Sequence, residues 1–567
     1  MRVLGINAIF HDPAAALVVD GQIVAAAEEE RFSRRKHGKR PVPFSAWELP
    51  EQSARWCLAS AGLRPEDLDA VAYSFDPALA RPAEDLGLPD PWDWLRQSYA
   101  RKAPSFLAAA LPGLDPAHVL FVPHHVAHAA SAALAAPPYR GARDRAVLVL
   151  DGRGEAASHL AGVYRDGRLE ALAAQALPHS LGLLYEEVTA HLGFLRSSDE
   201  YKVMALASYG QPRHLDLLRE AVRATSDGGF VTEPLPLDTL CKRREVDSEE
   251  WNADHADLAA SVQRRLEEVL LDLARWLYDA AGGPPALAMA GGVALNCVAN
   301  AHLARHGPFA DIWVQPAAGD SGTALGAALH VASLHVASLH GASLHGAADA
   351  GDAPAPMPGA DLGRGFSDEE IEAELRRARV GYTRPPSISE AAAEVLAADG
   401  VVAWYQGRAE YGPRALGRRS LLAHPGHAAN LERLNDVKGR EQFRPVAPMV
   451  LTERAAEIFD GVLPSPYMLF THHVRPDWRE RIPAVVHVDG TARIQTVDRD
   501  REPAVAAVLD AFVRRTGLPV VVNTSLNTAG RPMVDTPREA LELFGSAPVD
   551  LLAIGPFAVS RKGFGHG

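Results

Sequence analysis

Two histidines four positions apart, His124 and His128, begin a run of small residues that ends at Ala136. On an α-helix, residues at that spacing project from one face, so the pair would supply two imidazole ligands to a divalent metal ion. The same spacing also suits two ordinary helix histidines that bond to solvent or to the main chain. The pair alone does not decide between these two interpretations.

Two aspartates downstream favour the metal site, because each follows a predicted strand. Asp151 directly follows the apolar run 145–150, and Asp320 comes shortly after the apolar run 312–315. Ligands in open α/β folds collect outside the carboxyl ends of strands. A mixed nitrogen and oxygen donor set suits iron, manganese or zinc. The predicted metal ligands are His124, His128, Asp151 and Asp320.

The elements around these residues follow a repeated plan. Residues 2–30 and 146–172 each read as a strand, a polar loop, a strand, an Asp-Gly turn and a strand. The turns fall at Asp20-Gly21 and Asp166-Gly167. This repetition predicts an α/β fold with a duplicated ribonuclease-H-like core, as in the actin, Hsp70 and sugar-kinase ATPases. Because Asp-Gly turns are common, two unrelated hairpins are the alternative.

A second device in this half is a double glycine. Gly291 and Gly292 follow the predicted strand 286–290 and precede a predicted helix over 293–302, and a glycine-rich segment recurs at 318–328. Glycines there let main-chain N–H groups approach a phosphate or a ribose closely. One such turn is weak evidence, and two beside a proposed metal ligand are stronger.

The domain boundary falls after an unusual repeat at 329–345, in which Leu-His recurs every five residues. Successive histidines would lie about 140° apart on a helix, so they share no face and predict no metal array. An expanded helix end leading into an Ala-, Gly-, Pro- and Asp-rich linker explains the repeat better. We predict a first domain at 1–346, a linker at 347–366 and a second domain at 367–567.

The second domain should be another α/β unit, with helices over 368–378 and 389–398 and a strand at 401–405. A loop rich in glycine and arginine follows at 406–420. Arginine forks bind phosphate in a bidentate manner, so several from separate loops indicate a nucleotide or phosphate-ester site. Solvated surface arginines are the alternative. The candidate cations are Arg408, Arg414, Arg418, Arg419, Lys438, Arg440, Arg444 and Arg493.

Composition bounds the class of protein. The 567 residues are 47% hydrophobic and 23% charged, which predicts two or three ordinary globular domains. A net charge of -14 argues against a nucleic-acid partner. Three scattered cysteines fit no disulfide framework, and we find no signal peptide and no stretch approaching the roughly 20 apolar residues of a membrane span. We expect a cytoplasmic protein without a membrane partner.

Motifs spread over nearly the whole chain resemble the NodU/CmcH-type O-carbamoyltransferases, the family that includes the tobramycin carbamoyltransferase. Few unrelated proteins would match so many of them. The matching segments are His11-Asp12, Glu28 to Phe32, His124 to His128, Asp151 to Glu155, Tyr201 to Met204, Gly291 to Asn296, Gly412 to Ser420, Arg444 to Pro448 and Asn523 to Asn527.

The resemblance implies an N-terminal domain like the tRNA threonylcarbamoyl transferases (TsaD/Kae) and a C-terminal domain like YrdC. In such enzymes the C-terminal site takes carbamoyl phosphate and ATP, used with Mg²⁺. Carbamate from carbamoyl phosphate attacks the nucleotide α-phosphate and gives carbamoyl adenylate and pyrophosphate. The intermediate passes through an internal channel to the metal site, where a substrate hydroxyl takes the carbamoyl group and AMP leaves.

The resemblance also assigns residues. The four proposed metal ligands match the family's ligands, with iron(II) as the expected occupant, and His11 matches the histidine that acts near the acceptor. The positions implied for binding ATP and carbamoyl phosphate are Asn7, Lys202, Gly291, Gly292, Asn296, Arg414, Arg419, Lys438, Arg444, Arg493, Asn523 and Ser525. A neutral His11 would suit the base that an alcohol nucleophile needs.

The chain departs from the family in two places. The segment from Asn7 to His11 is shorter than in the tobramycin enzyme, which bears on the acceptor pocket, and the 329–345 repeat is an insertion. Resemblance favours a small-molecule acceptor, namely a sugar or polyol hydroxyl of a secondary metabolite, as in antibiotic biosynthesis. A homodimer is possible within this class.

Four other functions stay open at this point. They are a tRNA-modifying threonylcarbamoyl-type transferase, an actin-like sugar kinase, a metal hydrolase built on the histidine pair, and a nucleotide sensor without turnover. The acidic balance and the fused second half disfavour the tRNA enzyme. A kinase would release ADP, whereas an adenylating enzyme releases AMP and pyrophosphate.

Overall fold

The computed structural model describes residues 1–38, 49–246, 250–342 and 354–561, with the main chain alone over 336–342. The chain divides into two compact units, Met1–Gly359 and Ala360–Gly567, which we call unit 1 and unit 2. Among the described residues, no helix combines the length and the apolar character needed to cross a membrane.

Unit 1 contains two five-stranded sheets and a two-stranded ribbon. Its strands are β1 (Arg2–Asn7), β2 (Ala14–Val19), β3 (Gln22–Glu28), β4 (Ala70–Tyr73), β5 (Val119–Phe121), β6 (Arg145–Leu150), β7 (Ala157–Arg165), β8 (Arg168–Ala176), β9 (Val222–Ala224), β10 (Phe230–Thr232), β11 (Ala286–Ala290) and β12 (Asp311–Val314). Its helices are α1 (Glu30–Ser33), α2 (Glu51–Ser60), α3 (Asp93–Ala110), α4 (His124–Ala133), α5 (Leu181–His191), α6 (Glu200–Leu206), α7 (Leu215–Ala221), α8 (Leu237–Leu240), α9 (Ala253–Ala280), α10 (Cys297–His306) and α11 (Ser321–Ala342).

The two large sheets repeat one topology. The first has the order β3-β2-β1-β4-β5, and the second has the order β8-β7-β6-β11-β12. In the first sheet β1, β2 and β3 pair antiparallel, and β4 and β5 run parallel to β1. In the second sheet β6, β7 and β8 pair antiparallel, and β11 and β12 run parallel to β6. The Asp-Gly turns join β2 to β3 and β7 to β8, where Gly21 and Gly167 have φ angles of 74° and 73°. The predicted α/β class and the repeated strand plan are confirmed.

Strands β1 and β6, which occupy the same position in the two sheets, are buried throughout their apolar stretches, because helices cover both faces of each sheet. Their apolar side chains therefore run without the alternation of a half-exposed strand. In the second copy, the predicted helix over 293–302 differs from the observed elements. A 3₁₀ turn (Gly292–Leu295) precedes α10, because the Asn296 side chain accepts a hydrogen bond from the Ala299 N–H and begins a new helix there.

Helix α11 extends through the Leu-His repeat as far as Ala342, so the repeat lengthens a helix over its described part. Residues 343–345 of the repeat and 347–353 of the predicted linker lie outside the described residues. The remainder of the linker, 354–366, has no helix or strand.

Unit 2 contains a seven-stranded sheet and a small three-stranded sheet. Its strands are β13 (Val402–Tyr405), β14 (Arg419–Ala423), β15 (Ala447–Leu451), β16 (Phe459–Asp460), β17 (His472–Val474), β18 (Thr491–Ala492), β19 (Gln495–Val497), β20 (Val520–Ser525), β21 (Leu551–Ile554) and β22 (Phe557–Ser560). Its helices are α12 (Asp368–Arg377), α13 (Ile388–Ala397), α14 (Ala429–Lys438), α15 (Ala455–Ile458), α16 (Pro476–Arg479), α17 (Pro503–Thr516) and α18 (Pro537–Ser546).

The large sheet of unit 2 has the order β19-β15-β20-β14-β13-β21-β22 and separates two cores. Alternate residues of β13 enter different cores. Val402 and Trp404 pack with α13 and α17, whereas Ala403 and Tyr405 pack with α12 and α18. This unit is α/β as expected, and its YrdC-like architecture stays a prediction.

Candidate functional site

Four predicted metal ligands meet in unit 1, all of them buried. The Nε2 atom of His124 lies 3.3 Å from Asp151 Oδ2 and 3.5 Å from Asp320 Oδ1. The Nε2 atom of His128 lies 3.8 Å and 3.6 Å from the same two oxygens. One candidate ligand atom from each residue lies within 4.8 Å of every other. We call this group the four-ligand cluster.

Close helix packing brings α4 and α11 together at this cluster. A Cβ atom at Gly326 would lie only 1.8 Å from the carbonyl oxygen of Ala127, so the two helices approach to a distance that only glycine permits. The other side of α11 is equally tight, because a Cβ at Gly5 of β1 would lie 1.8 Å from the Ala324 carbonyl oxygen. Asp320, which immediately precedes α11, is therefore fixed beside the histidines of α4.

The double glycine positions Asp151. The N–H of Gly292 donates to Asp151 Oδ1 over 2.8 Å. Gly291 has a φ of 91°, and a Cβ there would lie 2.1 Å from the Leu150 carbonyl oxygen, so a side chain is excluded. The N–H group that the sequence offers to a phosphate thus binds a predicted metal ligand here.

His124 is oriented by its own contacts. Its Nδ1 lies 3.2 Å from the carbonyl oxygen of Ser74, which places the proton on Nδ1 and leaves Nε2 for a metal. Its main-chain N–H donates over 2.8 Å to Glu155 Oε1, an oxygen that also accepts from the Asp76 N–H. Sequence analysis placed Glu155 in the Asp151 to Glu155 motif but did not predict that its carboxylate binds the first N–H group of α4.

Several buried polar atoms of the cluster have no hydrogen-bond partner among the described residues. They are both ring nitrogens of His128 and both carboxylate oxygens of Asp320. Burial without a partner is costly, and the great majority of such atoms in folded proteins are bonded. A divalent cation would bind one ring nitrogen of His128 and the carboxylate of Asp320, so the donor set of two imidazoles and two carboxylates fits the predicted metal.

The charges of the cluster depend on one another. Burial alone would lower the pKa of His124, but Asp320 and Asp151 raise it well above its ordinary value. Burial alone would raise the pKa of Asp320, but His11 and His124 lower it well below its ordinary value. Each partner therefore favours the charged form of the other despite the low-dielectric surroundings.

His11 lies at the edge of the cluster. Its Nε2 is 3.7 Å from Asp320 Oδ2, and its Nδ1 is 2.9 Å from Asp12 Oδ2. Burial opposes protonation, but these two carboxylates raise its pKa to about 10 when no metal offsets their charge. Asn7 holds the loop, because its amide donates to the carbonyl oxygens of His11 and Asp12 over 2.9 Å each.

The other predicted binding residues of unit 1 have contacts within the protein. Asn296 exchanges hydrogen bonds with Gln263, and Lys202 pairs with Asp199 over 3.0 Å. Neither contact tests a role in ligand binding, so these roles stay predictions, as does that of Asn7.

In unit 2, the predicted residues Lys438 and Ser525 are in contact at the end of β20, and the predicted residue Asn523 lies two residues earlier on the same strand. Lys438 Nζ donates to Ser525 Oγ over 3.0 Å and to Asn527 Oδ1 over 2.6 Å. The amide of Asn523 donates to Gln495 Oε1 over 2.7 Å and to the Ala415 carbonyl oxygen over 3.1 Å, which brings the segment containing Arg414 to this strand. We call this group the β20 cluster.

The arginines predicted for phosphate binding differ in their contacts. Arg419 is fully buried over the ring of Tyr405, and its two terminal nitrogens donate to four main-chain carbonyl oxygens. These contacts give it a structural role beside the predicted binding role. Arg444 lies 3.4 Å from Glu441, and Arg493 Nε is buried without a hydrogen-bond partner in the described chain.

The glycine- and arginine-rich loop holds its own anion. One carboxylate oxygen of buried Glu410 accepts from the N–H groups of Leu416, Arg418 and Arg419 at 2.7, 3.0 and 3.2 Å. Sequence analysis considered only the arginine side chains of this loop as anion ligands and did not predict this internal carboxylate. The only signal was a glutamate inside a loop otherwise rich in cations.

Two family profiles match the sequence. The profile described as Carbamoyltransferase N-terminus matches residues 2–82 and 96–329, and the one described as Carbamoyltransferase C-terminus matches residues 393–561. Together they cover most of the chain.

Curated relatives match over a similar span. The nodulation protein NolNO of Sinorhizobium fredii (strain NBRC 101917 / NGR234) is 38% identical over 98% of this chain and 80% of its own length. Nodulation protein U of Rhizobium tropici is 31% identical over 94% of this chain and 92% of its own length.

Solved structures resemble the chain only distantly. The activator of the 2-hydroxyisocaproyl-CoA dehydratase from Clostridium difficile, with bound ADPNP, has a TM-score of 0.32 at 14% identity and covers 61% of this chain and 100% of its own. The ROK hexokinase from Thermus thermophilus has a TM-score of 0.28 at 16% identity and covers 58% of this chain and 98% of its own.

Proposed function

Because the chain belongs to the carbamoyltransferase family and is a transferase enzyme, we propose that it is an ATP-dependent O-carbamoyltransferase. It would make carbamoyl adenylate from carbamoyl phosphate and ATP, and then transfer the carbamoyl group to a hydroxyl of a small sugar or polyol. The observation that carries the proposal is the four-ligand cluster beside His11 in unit 1.

In the first step, the cations of the β20 cluster and its neighbouring loops bind the phosphates of the two substrates. Lys438 and Arg444 neutralise charge on carbamoyl phosphate, and Arg414 and Arg493 bind the triphosphate. Water first cleaves the bond between the carbamoyl group and the phosphate of carbamoyl phosphate, which gives carbamate and releases inorganic phosphate. A carbamate oxygen then attacks the α-phosphorus of ATP, the bond to the β-phosphate breaks, and pyrophosphate leaves. Positioned cations stabilise the negative charge that develops on these oxygens.

In the second step, His11 accepts the proton of the acceptor hydroxyl at Nε2. The hydroxyl oxygen forms a bond to the carbamoyl carbon, the carbon–oxygen bond to the phosphate breaks, and AMP leaves. An alcohol is a weak nucleophile at neutral pH, so a positioned base contributes about 10² to 10⁴ in rate.

His124, His128, Asp151 and Asp320 would hold the metal, with iron(II) as the proposed occupant. When bound there, a divalent ion would supply Lewis acidity toward the carbamoyl carbonyl and positive charge that offsets developing negative charge. The residues themselves orient the site, because Gly292 fixes Asp151 and Ser74 fixes His124. With the ion bound, the carboxylates raise the pKa of His11 less, so that a neutral imidazole forms more readily near neutral pH.

Product analysis tests the function directly. The protein is mixed with ATP, Mg²⁺ and carbamoyl phosphate, and the nucleotides are separated by chromatography. The proposal expects pyrophosphate and carbamoyl adenylate that depend on carbamoyl phosphate, and then AMP together with radiolabelled carbamoyl groups on an added polyol or oligosaccharide. Formation of ADP with a phosphorylated sugar would instead identify a kinase and overturn the proposal.

A tRNA acceptor is the competing substrate for the same chemistry. The net charge of -14 disfavours it, because binding of a polyanion relies on cationic contacts that grow stronger at low salt. An electrophoretic shift of tRNA at low ionic strength, together with carbamoylated RNA, would replace the small-molecule acceptor in the proposal.

A further inference from the structure

Asp12 lies between two histidines and binds both. Its Oδ2 atom is 2.9 Å from His11 Nδ1, and its Oδ1 atom is 2.8 Å from His37 Nδ1. An ionised carboxylate only accepts hydrogen bonds, so each of these ring nitrogens carries a proton. The nitrogen of His11 that remains is Nε2, which lies on the side of Asp320.

His37 is fixed independently of this contact. Its main-chain N–H donates to Glu30 Oε2 over 2.9 Å, and its carbonyl oxygen accepts from the Asp12 N–H over 3.0 Å. Glu30 belongs to the motif from Glu28 to Phe32, which no step of the proposed reaction uses. Glu30 of this motif is therefore linked to His11 through three contacts, by way of His37 and Asp12.

The backbone of the loop is held in an uncommon conformation. Asp12 has a φ of 49° and His37 has a φ of 61°, both in the left-handed region that non-glycine residues rarely adopt. Such conformations cost energy and persist where surrounding contacts fix them. Here the Asn7 amide donates to the carbonyl oxygens of both His11 and Asp12.

We propose that Asp12 and His37 are positioning residues for carbamoyl transfer, with Glu30 anchoring His37. Asp12 holds the His11 ring with Nδ1 protonated, so that Nε2 is the nitrogen presented to the acceptor hydroxyl. His37 holds the second oxygen of Asp12 and prevents the carboxylate from rotating away. This inference rests on the proposed function for its kinetic consequence, but the hydrogen-bonded arrangement itself does not.

The pKa of Asp12 agrees with this arrangement. Burial alone would raise it, but His37 and His11 hold it well below its ordinary range. The carboxylate therefore stays ionised and acts as an acceptor throughout the neutral range.

The kinetic test compares matched substitutions, assayed with added carbamoyl adenylate and a saturating acceptor. Asp12→Asn keeps the size and tolerates the left-handed backbone, but its amide can donate to His11 and stabilise the wrong tautomer. In a serine-protease triad the same change costs about 10⁴ in kcat, and we expect a loss of at least about 10² here with KM little changed. Asp166→Asn, at an exposed residue with a φ of 49°, is the matched control and should keep the wild-type rate.

The second pair of variants isolates His37. Both Gly and Asn accommodate its backbone, but only Asn retains an N–H donor for Asp12. Loss of such a supporting contact commonly costs about 10- to 100-fold, so we expect that loss of kcat for His37→Gly and recovery to within about threefold for His37→Asn. Equal rates for the two variants would overturn the role of His37, and a wild-type kcat for Asp12→Asn would overturn that of Asp12.

A spectroscopic readout separates this inference from the proposed function. In metal-free protein labelled with ¹⁵N-histidine, the Nδ1 protons of His11 and His37 should give exchange-protected N–H signals, assigned with His11→Gln and His37→Asn. Both signals should shift or disappear in Asp12→Asn. Signals without any carbamoyl transfer by the wild type would refute the proposed function alone, whereas transfer without these signals would refute the arrangement.

Discussion

The four-ligand cluster of unit 1 and the β20 cluster of unit 2 differ in how far their candidate ligand-binding side chains are hydrogen-bonded within the protein. In unit 1, both ring nitrogens of His128 and both oxygens of Asp320 are buried without a hydrogen-bond partner. In unit 2, Lys438 donates to Ser525 and Asn527, and Arg419 donates to four carbonyl oxygens. Single atoms there, Asn523 Oδ1 and Arg419 Nε, are buried without a hydrogen-bond partner among the described residues.

The difference follows from the charge of the ligand that each cluster would take. A metal ion needs several donor atoms aimed at one point, so the protein leaves those atoms without other partners. A phosphate binds to cations and N–H groups, which can be held by main-chain oxygens until the anion arrives. A metal site is therefore visible in a structure without ligands, whereas an anion site must be found by substitution.

Loss of a metal ligand should have the largest effect. We expect His128→Ala to remove the bound metal and to reduce carbamoyl transfer by well over the roughly 100-fold that loss of an outer-shell partner costs. Pyrophosphate formation dependent on carbamoyl phosphate should continue, because that step is assigned to unit 2. Metal content by mass spectrometry and separate assays of the two half-reactions measure this.

His125→Ala provides the control on the same helix. His125 is buried and its pKa is lowered to about 3, mainly by burial and the charge of His124, so it is neutral and lies outside the cluster. This variant should retain metal and transfer. Equal metal loss in both variants, or loss of pyrophosphate formation in His128→Ala, would show that the two clusters do not carry separate steps.

Removal of a cation from the β20 cluster should have the next largest effect. Lys438→Met should slow carbamoyl-adenylate formation by about 100-fold, the usual cost of one lost contact to developing charge, while added carbamoyl adenylate is still used. Initial rates at subsaturating carbamoyl phosphate measure the loss.

Two comparisons make the Lys438 result specific. Arg433→Ala on the same helix removes a cation that pairs with Asp550 and should leave the rate unchanged. Arg444→Ala should resemble Lys438→Met. Near-normal turnover in both Lys438→Met and Arg444→Ala would show that this cluster does not bind carbamoyl phosphate.

A substitution that disturbs the packing between α4 and α11 should have a third, smaller effect, which is a loss of stability. Gly326→Ala places a Cβ against the Ala127 carbonyl oxygen, and overpacking of this kind commonly costs about 3 kcal/mol in the free energy of unfolding. Gly62→Ala has open space but a φ of 66°, and should cost only about 1 kcal/mol. Thermal unfolding followed by circular dichroism compares the two, and equal losses would show that helix contact does not position the cluster.

The same packing explains what the sequence could and could not predict. The strand ends and the helical spacing placed Asp151, His124 and His128, because they depend on local periodicity. The pairing of α11 with α4 depends on a tertiary approach that Gly326 permits, and no local pattern distinguishes that glycine from its neighbours.

Unit 2 shows more clearly what cannot be predicted from sequence patterns alone. The loop of glycines and arginines predicted an anion site, but the anion that its main-chain N–H groups bind is the carboxylate of Glu410. Composition cannot tell an internal anion from an external one, because both satisfy the same donors. The same ambiguity applies to Arg419, whose carbonyl partners come from three separate segments of the chain.

The smallest effect we predict concerns two glutamates, one in each unit, whose pKa is raised to about 7. Burial and then the neighbouring carboxylate of Glu186 raise the pKa of Glu200 in unit 1. Burial raises that of Glu502 in unit 2, although the Arg418 guanidinium, 2.9 Å away, opposes the shift. Because the folded state holds these protons more tightly than the unfolded state, each group stabilises the fold fully below about pH 4.5 and loses that contribution as pH rises to about 7.

Replacement of each glutamate by glutamine removes the charge and so removes this loss. At pH 8, where the wild type has lost the contribution, Glu200→Gln should raise the free energy of unfolding by about 1 to 2 kcal/mol after allowance for solvent screening, and at pH 4.5 it should change little. Glu502→Gln should gain less, because it also removes the partner of Arg418. Thermal midpoints from pH 4.5 to 8 measure both variants. A larger gain for Glu502→Gln would show that the Arg418 pair does not offset burial, and pH-independent differences would show that neither carboxyl titrates in this range.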